Sequence, residues 1–154
     1  MTRRGFFKKR VAKGRSIQTE YKGILFDSQT EANYYKHLEK DDSIRHIELQ
    51  PEYQIIKPYK VVCSRCKGLG TILNVRTSNY NKCRLCAGEG ARMKAGAKYT
   101  ADFKVLFQDG SYEIVDVKGG PVERDFPLRK KLLESKSGQE VVVIRFKNKE
   151  WVRS

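Results

Sequence analysis

Asp102, Asp116 and Lys118 are the residues of this chain whose types and spacing suit chemistry best. They lie in YTADFKVLFQDGSYEIVDVKG, Tyr99 to Gly119, which reads as two short strands around a tight turn. Residues two apart on a strand share a face, so Asp116 and Lys118 point the same way. The turn decides whether Asp102 joins them. A three-residue loop, Gln108-Asp109-Gly110 with Gly110 left-handed, pairs Phe107 with Ser111, Val105 with Glu113 and Asp102 with Asp116. A two-residue Asp109-Gly110 turn throws Asp102 to the opposite face.

Two carboxylates and an ammonium on one patch suit metal-assisted phosphodiester hydrolysis. Paired carboxylates hold a hard cation such as Mg²⁺ or Mn²⁺ through oxygen and leave positions open for water and phosphate. The cation polarises the phosphoryl oxygen, and a neighbouring lysine orients or deprotonates the attacking water. The plain alternative is a solvated hairpin face carrying ordinary strand charges. Against it, Asp116 and Lys118 end an apolar-rich strand (Ile114, Val115, Val117) and precede Gly119-Gly120, while Tyr99, Ala101, Phe103 and Val105 flank Asp102. Two facing carboxylates also repel each other unless a cation lies between them.

A second set of chemically able residues is the four cysteines. Cys63-x-x-Cys66-x-Gly-x-Gly and Cys83-x-x-Cys86-x-Gly-x-Gly repeat one pattern, with sixteen residues between the pairs. Each C-x-x-C turn presents two thiolates, and two turns complete a tetrahedral Cys₄ zinc site. Glycines let the backbone turn sharply around the sulfurs. Two disulfides are the rival, but nothing in the chain suggests secretion, and a redox C-x-x-C needs no duplicate. A closed Cys₄ site is structural, and zinc would fold a segment too polar and Gly-rich to fold alone.

These residues need elements to position them. Ser28 to Lys40 reads as a helix with Ala32, Tyr35 and Leu38 at helical spacing. A strand is expected over Tyr53 to Val62. Phe126 to Ser135 reads as a second helix, with Leu128, Leu132 and Leu133 inward, Arg129, Lys130 and Lys131 outward, and Gly138 ending it. Glu140 to Phe146 makes a further buried strand. The expected order is α-β-β-β-α-β. Residues 1–16 form a basic arm, 17–62 and 99–154 the core, and 63–98 an inserted zinc module.

Asp102 followed by Asp116-Val117-Lys118 resembles the PD-(D/E)XK nuclease superfamily, with Ala101 where that family often has proline. YTADF…DVKGG is similar to phage Holliday-junction resolvases of the endonuclease I type. The resemblance implies an α/β, restriction-endonuclease-like core with a mixed sheet. It implies that Asp102, Asp116 and the Val117 carbonyl bind Mg²⁺ or Mn²⁺ and that Lys118 serves the attacking water. It further implies a metal-reaching glutamate on the helix before the hairpin, a role Glu31 fits. Ser28-x-x-Glu31 is equally a capping box, with Glu31 bonding back to the Ser28 N–H. Lys130 and Lys131 fall where relatives touch the scissile backbone; a solvated helix face is the other reading. Junction cleavage takes two paired cuts, hence an expected homodimer. The zinc module resembles the repeats of DnaJ-type co-chaperones, but only two copies occur and no J-domain signature accompanies them.

Composition points to a polyanionic partner. The 154 residues carry a formal charge of +14 and a pI near 9.7, which favours nucleic acid. The first fifteen residues hold seven Lys or Arg, among them Arg3, Arg4, Lys8, Lys9 and Arg10, and no acid. They read as an arm that meets DNA, or as a solubilising tail. Arg65, Lys67, Arg76, Lys82, Arg84, Arg92 and Lys94 make the zinc module basic against Glu89 alone. It either touches nucleic acid or serves as a staple. Tyr34, Tyr35, Tyr53, Tyr59 and Tyr80 either stack on bases or cover core edges. His37 and His46 read as surface residues. A P-loop, a signal peptide and a long hydrophobic run are all missing, so ATP use, secretion and membrane insertion are not expected. A cytoplasmic DNA endonuclease is the leading expectation, and a non-catalytic zinc-containing nucleic-acid-binding protein the alternative.

Overall fold

The computed structural model describes residues 17–154. A small hairpin, β1 (Thr19–Tyr21) and β2 (Ile24–Phe26), leads into α1 (Gln29–Leu38) and then β3 (Ile44–Leu49). Six short strands follow: β4 (Glu52–Ile56), β5 (Tyr59–Val62), β6 (Thr71–Asn74), β7 (Asn79–Lys82), β8 (Ala91–Lys94) and β9 (Ala97–Thr100). The chain then forms β10 (Phe103–Phe107), β11 (Tyr112–Val117), α2 (Phe126–Ser137), β12 (Val141–Lys147) and β13 (Glu150–Arg153).

The central sheet has the order β13-β12-β11-β10-β3. It is mixed: β11 and β12 run parallel, and the other neighbours run antiparallel. A parallel pair needs a crossover, and α2 supplies it. The sheet separates two apolar layers. On one face α1 buries Ala32, Tyr34 and Leu38 against Phe103, Val105, Val115, Val117 and Ile144. On the other, Leu133 of α2 packs with Ile114 and Val141, joined by Ile55, Tyr99 and Ala101. Alternate residues of β11 therefore face different helices, as strand pleating requires. Trp151 on β13 packs on Tyr34 and Phe146, with ring centroids 4.9 and 4.8 Å apart.

The β10–β11 turn is the three-residue one. Val105 pairs with Glu113 and Phe103 with Val115. The Phe107 N–H donates to the Ser111 carbonyl at 2.9 Å, and Gly110 is left-handed at φ 88°. Asp109 steadies the loop by accepting the Ser111 N–H at 2.8 Å.

Three expectations need correction. The strand expected over Tyr53–Val62 forms as β4 and β5, but these pair with β9 and β8 outside the central sheet: β4–β9 packs on α2 through Ile55 and Tyr99, and β5–β8 leads to the cysteine module. Its place beside β10 is taken by β3, whose polar-rich sequence IRHIEL hid it: only Ile44, Ile47 and Leu49 turn towards the core. For the same reason Tyr99 sits on β9 opposite Tyr53, and a bend separates it from β10. The third correction concerns α2, which runs two residues past Ser135 before the left-handed Gly138 stops it. Leu128 is 63% exposed while Leu133 is buried. Five residues put them about 140° apart around a helix, so one facing in turns the other out.

Candidate active site and candidate metal centre

The bend that ends β9 makes the first half of the site. Asp102 occupies it, and three bonds hold it. Its N–H donates to the Val115 carbonyl at 3.1 Å, its carbonyl accepts from Gln50 N–H at 3.0 Å, and its Oδ2 accepts from Val117 N–H at 2.6 Å. Asp116 comes from the end of β11 and is only 3% exposed. Lys118 Nζ lies 2.6 Å from its Oδ1, and the Tyr99 hydroxyl donates to its Oδ2 at 2.8 Å. Lys118 is itself fixed by its N–H to the Ile144 carbonyl, at 2.8 Å, and its ammonium lies 4.7 Å from the Phe126 ring centre.

Burial, then the charges of Asp116 and Glu31, push the Asp102 carboxyl up to about 8, against the Val117 N–H that favours its ionised form. Burial first, and the Asp116 charge second, push the Tyr99 hydroxyl far above its usual range. Asp102, half-buried and facing the Asp116 carboxylate, thus resists ionisation, and Lys118 contacts only Asp116. An added cation would relieve that resistance.

Glu31 stands at the N-terminus of α1. Its N–H donates to Ser28 Oγ at 3.1 Å, and its Oε1 accepts from the Ser28 hydroxyl at 2.7 Å. The cap forms, but the glutamate returns to the Ser28 hydroxyl rather than to the expected backbone N–H. Glu31 and Asp102 line the same small cleft of about 100 Å³ with Phe26, Gln50 and Phe103. Burial raises the Glu31 carboxyl, opposed by the Ser28 hydroxyl, while the Lys118 charge lowers it. The cap therefore also brings Glu31 beside Asp102. The sheet end and α1 meet closely here. A Cβ on Gly119 would lie 2.7 Å from Thr30 Oγ1, so a side chain at that position would force the Thr30 side chain to shift.

The four cysteines form the second centre. Sγ of Cys63 lies 3.8 Å from that of Cys83, and Sγ of Cys66 lies 3.6 Å from that of Cys86. All four sulfurs fall within 4.8 Å of one another and none is in a disulfide. A tetrahedral thiolate site with metal–sulfur bonds near 2.3 Å has edges of about 3.8 Å. The two knuckles are near copies. Cys63 N–H donates to the Gly90 carbonyl and Cys83 N–H to the Gly70 carbonyl, both at 2.8 Å. Gly70 and Gly90 are left-handed, and a Cβ on either would strike the backbone carbonyl of Gly88 or Gly68 at 2.3 or 2.2 Å. Those two glycines are what lets the knuckles interlock. The backbone N–H groups of Cys66 and Arg65 hold the Cys63 thiol down at about 6, whereas burial pushes Cys86 up to about 11.

Residues 11–152 match the family described as a protein of unknown function, DUF1064. The chain belongs to the DUF1064 family. Neither a curated protein nor a solved structure matches it.

In this DUF1064 chain Glu31, Asp102, Asp116 and Lys118 come together at one end of the sheet, with Val117 bonded to Asp102. Arg84 is exposed on the cysteine module, away from them. Lys130 pairs with Glu134 one turn on, at 3.4 Å, and Lys131 is exposed. Arg3, Arg4, Lys8, Lys9 and Arg10 lie outside the described residues. Sequence reasoning missed the second role of Tyr99, which read as an apolar flank. Its hydroxyl, where phenylalanine would have packed as well, was the available signal. It also missed Arg129, whose guanidinium sits over the Tyr99 ring at 5.7 Å and donates to the Lys98 carbonyl at 2.8 Å. Tyr99, Asp116, Lys118, Phe126 and Arg129 line a cleft of about 250 Å³ beside the carboxylates.

No helix among the described residues is long and apolar enough to cross a membrane.

Proposed function

We propose that this chain is a metal-dependent DNA endonuclease whose inserted module is held by one structural Zn²⁺. The observation that carries the nuclease reading is the pair of the buried Asp116 and the half-buried Asp102, sharing one end of the sheet with Lys118 Nζ 2.6 Å from Asp116. The donor set is all oxygen beside a lysine, which fits Mg²⁺ or Mn²⁺ and not a soft metal. Asp102, Asp116 and the Val117 carbonyl are the residues that would hold the ion, with Glu31 nearest to join them. When bound, the ion polarises a phosphodiester and acidifies water.

The protein groups have separate tasks. Tyr99 and Lys118 fix the two oxygens of Asp116, so its orientation is set before any ligand arrives. Lys118 has three donors, of which Asp116 engages one; the others suit an attacking water or a phosphate oxygen. Arg129, on the wall of the larger cleft, suits a flanking phosphate. Four thiolates close the second centre and leave no open position, so its role is to fold the module.

The net charge of +14 supports a nucleic-acid substrate. The resemblance to phage junction resolvases, rather than any contact within the chain, supports branched DNA, a homodimer and the cytoplasm of an infected host. One observation favours the second reading, a non-catalytic nucleic-acid-binding protein: both oxygens of Asp116 already have partners inside the protein, as in a purely structural ion pair. The test is cleavage of duplex, single-stranded, nicked, flap and four-way-junction DNA with Mg²⁺, Mn²⁺ or EDTA, beside Asp116→Asn. Metal-dependent cutting lost in the variant is the expected result. Tight binding by both proteins without cutting would sink the nuclease reading.

A further inference from the structure

The cysteine module has two ends that its internal symmetry makes comparable. On one side of the sulfurs the β5–β8 ribbon runs towards the sheet; on the other the β6–β7 ribbon ends in a turn at 75–78. The second ribbon pairs Thr71 with Lys82 and Leu73 with Tyr80. Pleating puts Leu73, Tyr80 and Lys82 on one face. That face is uncovered. Tyr80 is 68% exposed, Leu73 47%, and Val75 at the turn 85%. Between positions 71 and 82 there is no acidic residue, and Arg76 and Lys82 flank the apolar group. Across 63–98 only Glu89 opposes eight Lys and Arg.

An exposed tyrosine with two aliphatic neighbours inside a cationic surface suits one partner class better than others. Phosphates satisfy the charge, and bases satisfy the apolar face, because every base has a π-face on which an aromatic ring can stack. A paired duplex hides those faces. We propose that the β6–β7 hairpin is a base-stacking finger: Tyr80, Leu73 and Val75 pack against unpaired bases of branched DNA while Arg76, Lys82 and Arg84 hold the flanking phosphates. This rests on the nucleic-acid part of the function proposed above and adds what selects the substrate. β4 and β9 pack on α2 through Ile55 and Tyr99, so the β5–β8 ribbon and the cysteine module carry the finger out from the core. The finger can thus read a branch apart from the backbone that the carboxylate site addresses.

The test uses the full-length, zinc-loaded chain in the Asp116→Asn background, so that binding is read without cutting. Anisotropy titrations compare a forked DNA carrying 2-aminopurine at its first unpaired position with the fully paired duplex. Tyr80→Ala is expected to weaken fork binding about tenfold or more, as loss of one stacked base does, while duplex binding changes less than twofold. It should also abolish the 2-aminopurine quenching, and Tyr80→Trp should restore both. Zinc content must stay at one per chain in each variant; Leu73→Ser serves as the second probe of the same face. Equal loss on fork and duplex, or full fork preference in Tyr80→Ala and Leu73→Ser, would overturn the finger even if the wild type cuts DNA. Tyr80-dependent fork binding by a wild type that cuts nothing would overturn the nuclease reading and leave the finger standing.

Discussion

The two candidate metal centres are built by opposite means. The Cys₄ centre draws every ligand from one stretch, 63–86, and its knuckles are two copies of one eight-residue pattern. The carboxylate centre gathers Glu31 from a helix, Asp102 from a bend and Asp116 from a strand end, spread over 86 positions from 31 to 116. Local ligands make a centre that folds with its ion and little else. Dispersed ligands make one that exists only when the whole sheet has closed. The first is suited to holding shape and the second to chemistry, because a site assembled by the core keeps its geometry when the ion leaves. The hydrogen bonds show that difference: Asp102 and Asp116 are held by Val117, Tyr99 and Lys118, all protein groups.

The largest effect separating the two centres should come from Asp116→Asn. Removing a ligand from the proposed catalytic ion is expected to lower the cleavage rate by about 10³-fold or more, since such an ion contributes several kcal/mol to the transition state. DNA affinity should hold or rise, because a negative charge near phosphate is lost. A parallel fall in binding and cutting would instead mean that Asp116 holds the fold.

Cys83→Ser breaks the other centre. Zinc should be released and proteolysis should open 63–98 first, with the central sheet melting cooperatively afterwards. Retention of one zinc per chain would contradict the Cys₄ assignment. Unfolding of the whole chain in a single step would contradict the independence of the two regions.

A smaller, graded effect separates the centres by pH. With Asp102 raised to about 8 in the folded chain, the folded state holds a proton that the unfolded chain, ionising near its ordinary 3.8, has given up. The stabilisation linked to that proton is complete below about 4 and is lost as the pH rises through about 8. In magnesium-free buffer, urea midpoints of the wild type should therefore fall across this window more steeply than those of Asp102→Asn. Added Mg²⁺ should reduce the fall. Identical slopes in the two proteins would show that Asp102 ionises normally.

The smallest expected change is Tyr99→Phe. It removes one hydrogen bond to a charged partner, typically worth about 1.5–3 kcal/mol, and should lower cleavage while leaving zinc content and the duplex-to-fork binding ratio untouched. Unchanged kinetics would demote Tyr99 to packing.

Much of this was legible in the chain itself, for identifiable reasons. The C-x-x-C-x-G-x-G repeat carries its own ligands and turn residues, so the proximity of four cysteines followed from spacing. The hairpin register followed from one loop, because Gly110 supplies the left-handed residue that a three-residue turn needs. Ser28 marked the start of α1 and Gly138 the end of α2, since caps act locally. Less legible was β3. IRHIEL buries a side chain only every second or third residue at a sheet edge, while the more apolar YQII and YKVV nearby drew the assignment and proved to pair outside the central sheet. The break between Thr100 and Phe103 was equally hidden, because nothing in YTADF says that its first half pairs with β4 and its second with β11.

By itself, then, the sequence determined the centres that short-range geometry can build: the sulfur cluster, the loop that aligns β10 with β11, and the helix caps. Only the tertiary structure decided that Tyr99 reaches Asp116, that Glu31 caps α1 while facing Asp102, and that Arg129 lies over the cleft. Each joins residues from separate elements, and such contacts depend on how helices and strands pack once their apolar faces are buried, which no local pattern encodes.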